Sequence, residues 1–466
     1  MRKLLELVRR NWLFFLLATI AALALRFFFV FHLPHLAGDT WVYGDIAKNW
    51  LNHGLFGVTD DGLVRPTLIR LPGYPGFLAA MFAAFGQEHY RAVMIAQALI
   101  DTNTCMVIAG VALELMDVRA AKAAYLLAAL CPFTANYVAA PLSETLAIFC
   151  VAHALYYSVR GLKALPQESS LVLWLLAGLW TSAATYMRPD NGIILPALGL
   201  ALLVFAIRQN TRKRAIVAGI VLAIAALAPL VPWTVRNWRV FHLWQPLASR
   251  YANDPGEFVP HGFDHWVKTW MVDFVSVDEV YWKVSGEPVD PQNIPERAFD
   301  SRREYEQTLE LISRYNQQLY IDPDLDAQFD RLAHFRVEHN PLRYMIWMPS
   351  LRMLDMWLRP RTEMLDVDLR WWEFGKHEGE SWFALVWAGI NLFYVLMALR
   401  GWARHRLGMA GVFLVGFVVL RTLFLSTLEN PEPRYVLECF PVILALGGGA
   451  FARASRARLA QDITSH

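Results

Sequence analysis

The chain has 466 residues, of which 56% are hydrophobic and only 18% carry a charged side chain, and its mean hydropathy is positive, at +0.31. This composition argues against a soluble domain with one anchor and favours a protein that crosses a membrane many times. The formal net charge of +2, without a basic run that contains interleaved aromatic residues, argues against nucleic-acid binding.

The residues that usually bind metals or nucleotides show no recognisable spacing. The thirteen histidines are scattered without an HExxH pattern, and the chain has no GxxxxGK[ST] or GxGxxG loop. The four cysteines lie within apolar runs and lack CxxC or Cys/His spacing. We therefore expect no metal centre and no cofactor, although the sequence leaves a divalent metal open.

The first apolar run covers residues 12–30 and is interrupted only by Arg26. At about 1.5 Å per residue, this run is long enough to cross the ~30 Å hydrocarbon layer. It is too long for the apolar core of a signal peptide, and no convincing cleavage site follows it. We predict a retained first span.

Apolar runs separated by basic short loops predict ten spans with both termini in the cytoplasm, because basic loops stay inside. The most basic of these loops contains Arg208, Arg212, Lys213 and Arg214, and the C-terminal tail contains Arg453, Arg456 and Arg458. The predicted spans are residues 12–30, 90–115, 123–138, 144–159, 171–186, 192–207, 215–233, 382–399, 407–427 and 435–451.

These spans predict an all-α polytopic membrane protein with three parts. Residues 1–235 form an N-terminal transmembrane module whose external loop, 34–89, includes an apolar helix at 77–85 that is too short to cross. Residues 236–380 form an external, mainly helical domain, with an interfacial helix near 344–358 interrupted by Pro349, Arg352 and Asp355. Residues 381–466 form three further spans and a basic cytoplasmic tail.

The loop after the first span carries the main candidate site. Asp39 opens a predicted helix on which Tyr43 lies one turn later on the same face. Arg65 and Arg70 follow, and then Tyr74 within a Pro-Gly-Tyr-Pro turn. Asp39 is a candidate general base, but at a helix start it could equally serve as an N-cap. An acid and two cations at a membrane surface suit a charged lipid head group.

Five further polar residues lie at predicted outer ends of spans: Glu144, Arg188, Arg236, Arg434 and Tyr435. Each has a plain structural explanation. An acid in the first turn of a helix is favoured by the helix dipole, and an arginine at the membrane boundary often extends towards water. Their common placement on one side, rather than any single residue, supports a functional site.

Taken in order, these motifs resemble the GT-C glycosyltransferases that use polyprenyl-phosphate sugars, the branch with protein O-mannosyltransferases and lipid A aminoarabinose transferase. Where that family often has Asp-Glu at the first acidic site, this chain has Asp39-Thr40. The matching motifs are Gly38-Asp39 with Tyr43, Arg70-Leu71-Pro72-Gly73-Tyr74-Pro75, Ser143-Glu144, Arg188-Pro189, Arg236-Asn237 and Arg434-Tyr435.

The resemblance implies a GT-C-like bundle in which Asp39 is the catalytic acidic residue and the external arginines hold the phosphate of the lipid carrier. It implies transfer of a sugar, with inversion, from a polyprenyl-phosphate donor to an unknown lipid, glycan or protein acceptor. The expected location is a bacterial inner membrane, with the active site on the periplasmic side. The sequence names neither the sugar nor the acceptor.

Two other functions remain open at this point. A secondary transporter or lipid flippase would use Asp101, Arg421 and Glu438 as a polar path within the membrane. A catalytically inactive assembly factor would keep the fold without the chemistry. The transporter predicts charges at the membrane midplane, and the inactive protein predicts that replacing Asp39 changes nothing.

Overall fold

The computed structural model describes residues 2–36, 38–168 and 170–453. Within these residues nearly all regular structure is helical, which confirms the predicted all-α polytopic class. Arg456 and Arg458 of the predicted basic tail lie outside the described residues.

The first half of the chain contains short helices alternating with long ones, together with 3₁₀ turns at Pro189–Ile193 and Ala228–Leu230. In order, its elements are α1 (Arg2–Arg10), α2 (Trp12–His32), α3 (Asp39–His53), β1 (Gly57–Asp60), β2 (Leu63–Pro66), α4 (Gly73–Phe85), α5 (Tyr90–Leu115), α6 (Val118–Ala129), α7 (Pro132–Tyr137), α8 (Glu144–Ala164), α9 (Leu171–Met187), α10 (Ile194–Ile207), α11 (Arg212–Leu227) and α12 (Val231–Phe241).

The second half begins with shorter helices and ends with long apolar ones. Its elements are α13 (His261–Lys268), α14 (Phe274–Ser276), α15 (Arg302–Gln318), α16 (Pro323–His339), α17 (Met348–Leu358), α18 (Glu378–Arg404), α19 (Gly408–Leu425) and α20 (Phe440–Gly449). A π-helical turn, Arg343–Trp347, precedes α17, and a 3₁₀ segment, Pro433–Cys439, precedes α20.

Seven helical stretches among the described residues are long and apolar enough to cross a membrane. The three other predicted spans form shorter pieces: residues 123–138 divide into α6 and α7, residues 171–186 form α9, and residues 435–451 include a 3₁₀ segment and α20. The seven long stretches are Trp12–His32, Tyr90–Leu115, Glu144–Ala164, Pro189–Ile207, Arg212–Phe241, Glu378–Arg404 and Gly408–Leu425.

The predicted external loop contains a two-stranded antiparallel hairpin, β1 and β2, between its two helices. Asp60 pairs with Leu63, so the loop of the hairpin has two residues, Asp61 and Gly62, with φ angles of 48° and 76°. Positive φ at both positions is what a tight two-residue hairpin needs, and Asp-Gly is a favoured sequence for it. The sequence analysis did not predict these strands.

The chain divides into two compact units. Unit 1 comprises Met1–Pro255, Leu392–Val419 and Leu437–His466, and unit 2 comprises Gly256–Asn391 and Leu420–Val436. Unit 1 contains α1 to α12 and α20, and unit 2 contains α13 to α17. Each unit therefore includes residues from distant parts of the chain.

A buried ion pair connects the helices inside unit 1. The Arg26 guanidinium on α2 donates to the Asp101 carboxylate on α5, with an Nε–Oδ2 distance of 2.8 Å. It also donates to the carbonyl oxygens of Ala22, Ala128 and Ala129. A buried charge is tolerated when it is paired and hydrogen-bonded, and this arginine is both.

Unit 2 has its own aromatic core, in which α13 packs on α16. Phe263 and Trp266 of α13 contact Phe329 of α16, at ring-centroid distances of 5.3 and 5.0 Å. Asp322 caps α16 by accepting a hydrogen bond from the Leu325 N–H, and Pro323 occupies the first turn of that helix. The sequence thus fixes the start of α16.

Candidate active site

Asp39 is the first residue of α3, where the chain turns through Gly38 at a φ of 55°. Its Oδ1 atom lies 2.6 Å from Nη2 of Arg70, the cation that follows the hairpin and precedes α4. The Asp39 and Arg70 side chains are 26% and 22% exposed, so the pair is partly open to solvent. The structure therefore brings together the acid and one of the two cations that the sequence analysis selected in this loop.

Tyr43 and Tyr74 lie beneath this pair. The Arg70 guanidinium lies 5.8 Å from the centre of the Tyr43 ring, which in turn meets the Tyr74 ring edge-on at 5.0 Å. The Tyr74 hydroxyl donates to Oε1 of Gln97 on α5, at 2.7 Å, and is fully buried. Tyr74 therefore connects α4 to α5, while Tyr43 forms the floor under Arg70.

The pKa of Tyr43 depends on the charged groups around it. Burial raises the pKa of Tyr43, and the nearby charges of Asp39 and Glu144 raise it further, while Arg70 and a hydrogen bond with Ser143 oppose them. Tyr43 thus remains a neutral phenol at neutral pH. Because Ser143 immediately precedes Glu144, Tyr43 links the Asp39–Arg70 pair to a second charged cluster.

The second cluster places three carboxylates around the guanidinium of Arg188. Nη1 of Arg188 lies 2.9 Å from Oε1 of Glu144, and Nε lies 3.3 Å from Glu438 and 3.5 Å from Asp190. Glu144 and Glu438 are buried, with exposures of 2% and 0%. Sequence analysis selected Glu144 and Arg188 but assigned Glu438 to the transporter alternative.

The two remaining candidate arginines of unit 1 have different surroundings. Arg236 donates to the carbonyl oxygens of Thr67 and Phe56, and its guanidinium lies among the rings of Phe56, Trp233 and Phe241. These contacts attach α12 to the loop that holds Arg70. Arg65 lies on the hairpin, is 60% exposed and pairs with Asp60.

Arg434 and Tyr435 belong to unit 2. The guanidinium of Arg434 contacts the Glu432 carboxylate, and the Tyr435 hydroxyl donates to the other oxygen of the same carboxylate. Glu432 is buried, with 2% exposure. Both side chains therefore bind the same carboxylate in the segment that precedes α20.

Each polar group of the transporter alternative has a partner within its own unit. Asp101 is paired with Arg26, Glu438 contacts Arg188, and Nε of Arg421 donates to the Tyr435 carbonyl oxygen. A cavity of about 370 Å³ lies among α1, α2, α5, α6 and α8, and it is lined by Thr19, Thr102, Asn103, His153 and apolar or aromatic side chains, without Asp101 or Glu438.

A family of dolichyl-phosphate-mannose-protein mannosyltransferases matches residues 70–233, about a third of the chain. The match begins at Arg70 and includes Glu144 and Arg188. No curated protein matches the chain by sequence.

Solved structures of the oligosaccharyltransferase AglB from Archaeoglobus fulgidus share the architecture. The complex with an inhibitory peptide and a dolichol-phosphate aligns with a TM-score of 0.50 at 11% identity, over 94% of this chain and 50% of AglB. The apo form gives 0.50 at 13% identity, over 97% and 54%. This protein has the GT-C fold.

The GT-C fold confirms the resemblance inferred from the sequence, at the level of architecture. This chain spans about half the length of the AglB structures. ArnT from Cupriavidus metallidurans in the apo state also aligns, with a TM-score of 0.39 at 15% identity, over 98% of this chain and 81% of ArnT.

Proposed function

We propose that this protein is an integral membrane glycosyltransferase that moves a sugar from a polyprenyl-phosphate donor to an acceptor. The observation that carries the proposal is the partly open Asp39–Arg70 ion pair next to the Glu144–Arg188 cluster. Support also comes from the mannosyltransferase family match, which includes three of these four residues, and from the GT-C fold. AglB, which has this fold, was solved with a dolichol-phosphate.

In the proposed reaction, an acceptor hydroxyl attacks the anomeric carbon of the donor and Asp39 takes its proton. The bond between that carbon and the phosphate oxygen breaks, and the polyprenyl phosphate leaves with the electron pair, so the anomeric configuration inverts. A general base of this kind contributes about 10²- to 10⁴-fold in rate. Asp39 suits the role because its carboxylate is both ordered by Arg70 and accessible.

Arg70 is the proposed ligand of the donor phosphate, with Arg188 as a second cation. A guanidinium binds phosphate through two parallel N–H···O bonds and stabilises the charge that develops on the leaving group. The proposed reaction needs no organic cofactor, because a phosphate leaves readily once cations neutralise it. Arg236 is proposed to support this loop, since its donors are directed to backbone carbonyl oxygens.

The proposed orientation places both termini in the cytoplasm and Asp39 on the periplasmic side of a bacterial inner membrane. It follows from the basic short loops, which remain inside. The lipid tail of the donor would lie in the bilayer beside α4, and the acceptor would be a lipid, a glycan or a protein. The segment around α17 is proposed to lie in the interface.

The experiment that tests this function measures sugar release from a panel of radiolabelled polyprenyl-phosphate sugars in detergent. The purified wild type, Asp39→Asn and Asp60→Asn are compared, because Asp60 is another exposed acid of the same loop and pairs with Arg65. We expect one donor to be consumed by the wild type and by Asp60→Asn, and not by Asp39→Asn. Equal consumption by all three proteins would remove Asp39 from the mechanism, and consumption by none would refute the proposed donor class.

A further inference from the structure

Two histidines and one aspartate of unit 2 converge at a single point. His265 lies on α13, and Asp330 and His334 lie one turn apart on α16. Nδ1 of His265 is 2.9 Å from Oδ1 of Asp330, and Nδ1 of His334 is 3.3 Å from Oδ2 of the same carboxylate. One ligand atom from each of the three residues lies within 4.8 Å of the others.

Two imidazoles and one carboxylate are a common ligand set for a divalent transition metal. Zn²⁺ binds histidine nitrogen and carboxylate oxygen at about 2.0–2.2 Å in a tetrahedron, which places ligand atoms roughly 3.4 Å apart. The two separations between an imidazole nitrogen and the Asp330 carboxylate, 2.9 and 3.3 Å, approach that value, and one nitrogen of each imidazole lies within 4.8 Å of the other. Side-chain rotations would therefore complete the set. His265, Asp330 and His334 are 27%, 42% and 60% exposed, which leaves the fourth position open to water.

The backbone that carries these ligands is fixed by packing that needs no metal. Gly262 allows α13 to approach α16 so closely that a Cβ atom there would lie 2.0 Å from the Asp326 carbonyl oxygen and 2.9 Å from the Cβ atom of Asp330. The Phe263 N–H donates to the Asp326 carboxylate at 2.9 Å. His265 follows Gly262 by one turn and therefore faces Asp330. Ligands on rigid helices lose little freedom when they bind an ion.

We propose that His265, Asp330 and His334 bind a divalent first-row transition ion, best matched by Zn²⁺, which joins α13 to α16. A water molecule would complete the tetrahedron. The ion would stabilise unit 2 by binding the folded state alone. The proposal is independent of the glycosyltransferase function, since none of these three residues belongs to the site built around Asp39.

One competing arrangement has the same geometry. Two imidazoles whose Nδ1–H groups donate to one carboxylate would give the same short distances without a metal, and Nδ1 of His334 already lies 3.0 Å from the Asp330 carbonyl oxygen. Zn²⁺ bound to both Nδ1 atoms would remove these hydrogen bonds, and each imidazole would then carry its proton on Nε2. Only a direct measurement of bound metal separates the two arrangements.

The test uses the full-length, tag-free protein in detergent, treated with a chelator and then dialysed against Zn²⁺. Bound zinc is counted by mass spectrometry of the metal, and Co²⁺ replaces Zn²⁺ in a second sample because tetrahedral Co²⁺ absorbs strongly in the visible range. We expect one ion per chain. We also expect His265→Ala and His334→Ala to weaken binding by at least about 10²-fold, more than the loss of a residue that only orients a ligand.

His339→Ala is the matched control. His339 is an exposed histidine on the same helix, and its Nδ1 bonds to a carbonyl oxygen one turn earlier, as His334 does. His339→Ala should bind one ion, as the wild type does. Its melting temperature should also rise when Zn²⁺ is added. The proposal is overturned if the wild type binds no zinc, or if all three variants bind it equally. Circular dichroism of each variant verifies that a lost ion is not a lost fold.

Discussion

Asp39 and Arg70 form an ion pair of 2.6 Å although they lie 31 positions apart in the chain, with a complete β-hairpin between them. The pair is only partly buried, so its mutual attraction is moderated by solvent and contributes little to stability. Its position over Tyr43 nevertheless holds both charged groups in one orientation. This arrangement suits a site in which the phosphate of a substrate replaces Asp39 as the partner of the Arg70 guanidinium.

Replacing Arg70 tests the proposed phosphate contact. We expect Arg70→Gln to weaken donor binding about 10- to 10²-fold, because the loss of a hydrogen bond to a charged group costs roughly 1.5–3 kcal/mol. Arg70→Lys should recover only part of the affinity, since an ammonium group cannot bind phosphate through a planar fork. The measurement is the dissociation constant for a polyprenyl phosphate.

Arg302→Gln is the control for Arg70→Gln. Arg302 is 91% exposed on α15 and pairs with Glu306, one turn away on the same helix. Its replacement should leave the dissociation constant unchanged. If Arg70→Gln binds the lipid as tightly as this control, the phosphate contact belongs to another cation of unit 1.

The Arg188 cluster predicts a large effect on stability. Arg188→Met would leave the buried carboxylates of Glu144 and Glu438 without the guanidinium that they share. Removing one partner of a buried pair costs about 3–5 kcal/mol. We expect a clear fall in the melting temperature measured by intrinsic fluorescence. Arg302→Met should change it little, because exposed pairs contribute less than about 1 kcal/mol; equal melting temperatures would contradict the structural role of Arg188.

Much of the Asp39 site could be predicted from the type of each residue and from the sequence on either side of it. Asp39, Arg70, Glu144 and Arg188 each lie at or near the start or end of a helix, and that placement is visible in the sequence. Their partners were not predictable, because Asp39 meets Arg70, and Arg188 meets Glu438, only after distant helices have packed. Periodicity predicts which face of a helix is buried, but it does not predict which charge on another helix will meet it.

The histidine cluster shows the same limit. The four-residue spacing of Asp330 and His334 places both on one helix face and was available from the sequence. His265 lies 65 residues earlier, and only the close packing of α13 on α16 brings it to that face. Similarly, Arg236 was selected as an arginine at a membrane boundary, whereas its contacts are with backbone carbonyl oxygens from the loop before α4.

Gly262 provides a test of that close packing. An alanine at this position would place its Cβ atom 2.0 Å from a carbonyl oxygen of α16, a distance that requires the helices to separate. We expect Gly262→Ala to lower the melting temperature of unit 2 and to abolish the proposed zinc binding. Gly379→Ala is the matched control, because Gly379 is also the second residue of its helix and a Cβ atom there would have no described atom within 4 Å. A melting temperature of Gly262→Ala equal to that of the wild type would contradict the close packing of α13 on α16.

Asp355 on α17 predicts a dependence of stability on pH. Burial raises the pKa of Asp355 to about 7, and the nearby charge of Asp273 adds to the effect, while Arg359 and the Phe274 N–H oppose it. In the unfolded chain the ordinary pKa of an aspartate is about 3.9. Between these values the folded protein therefore binds one proton more than the unfolded chain. This group's contribution is complete below about pH 4 and is lost as the pH rises to about 7.

The measurement is the melting temperature of the wild type and of Asp355→Asn from pH 5 to pH 8. Asparagine has nearly the shape of the protonated acid and does not titrate, so the variant lacks this contribution to the pH dependence. We expect the wild type to lose stability relative to Asp355→Asn as the pH rises from 5 to 7, and the difference to level off above that range. Two parallel curves would show that Asp355 titrates as an ordinary aspartate despite its burial.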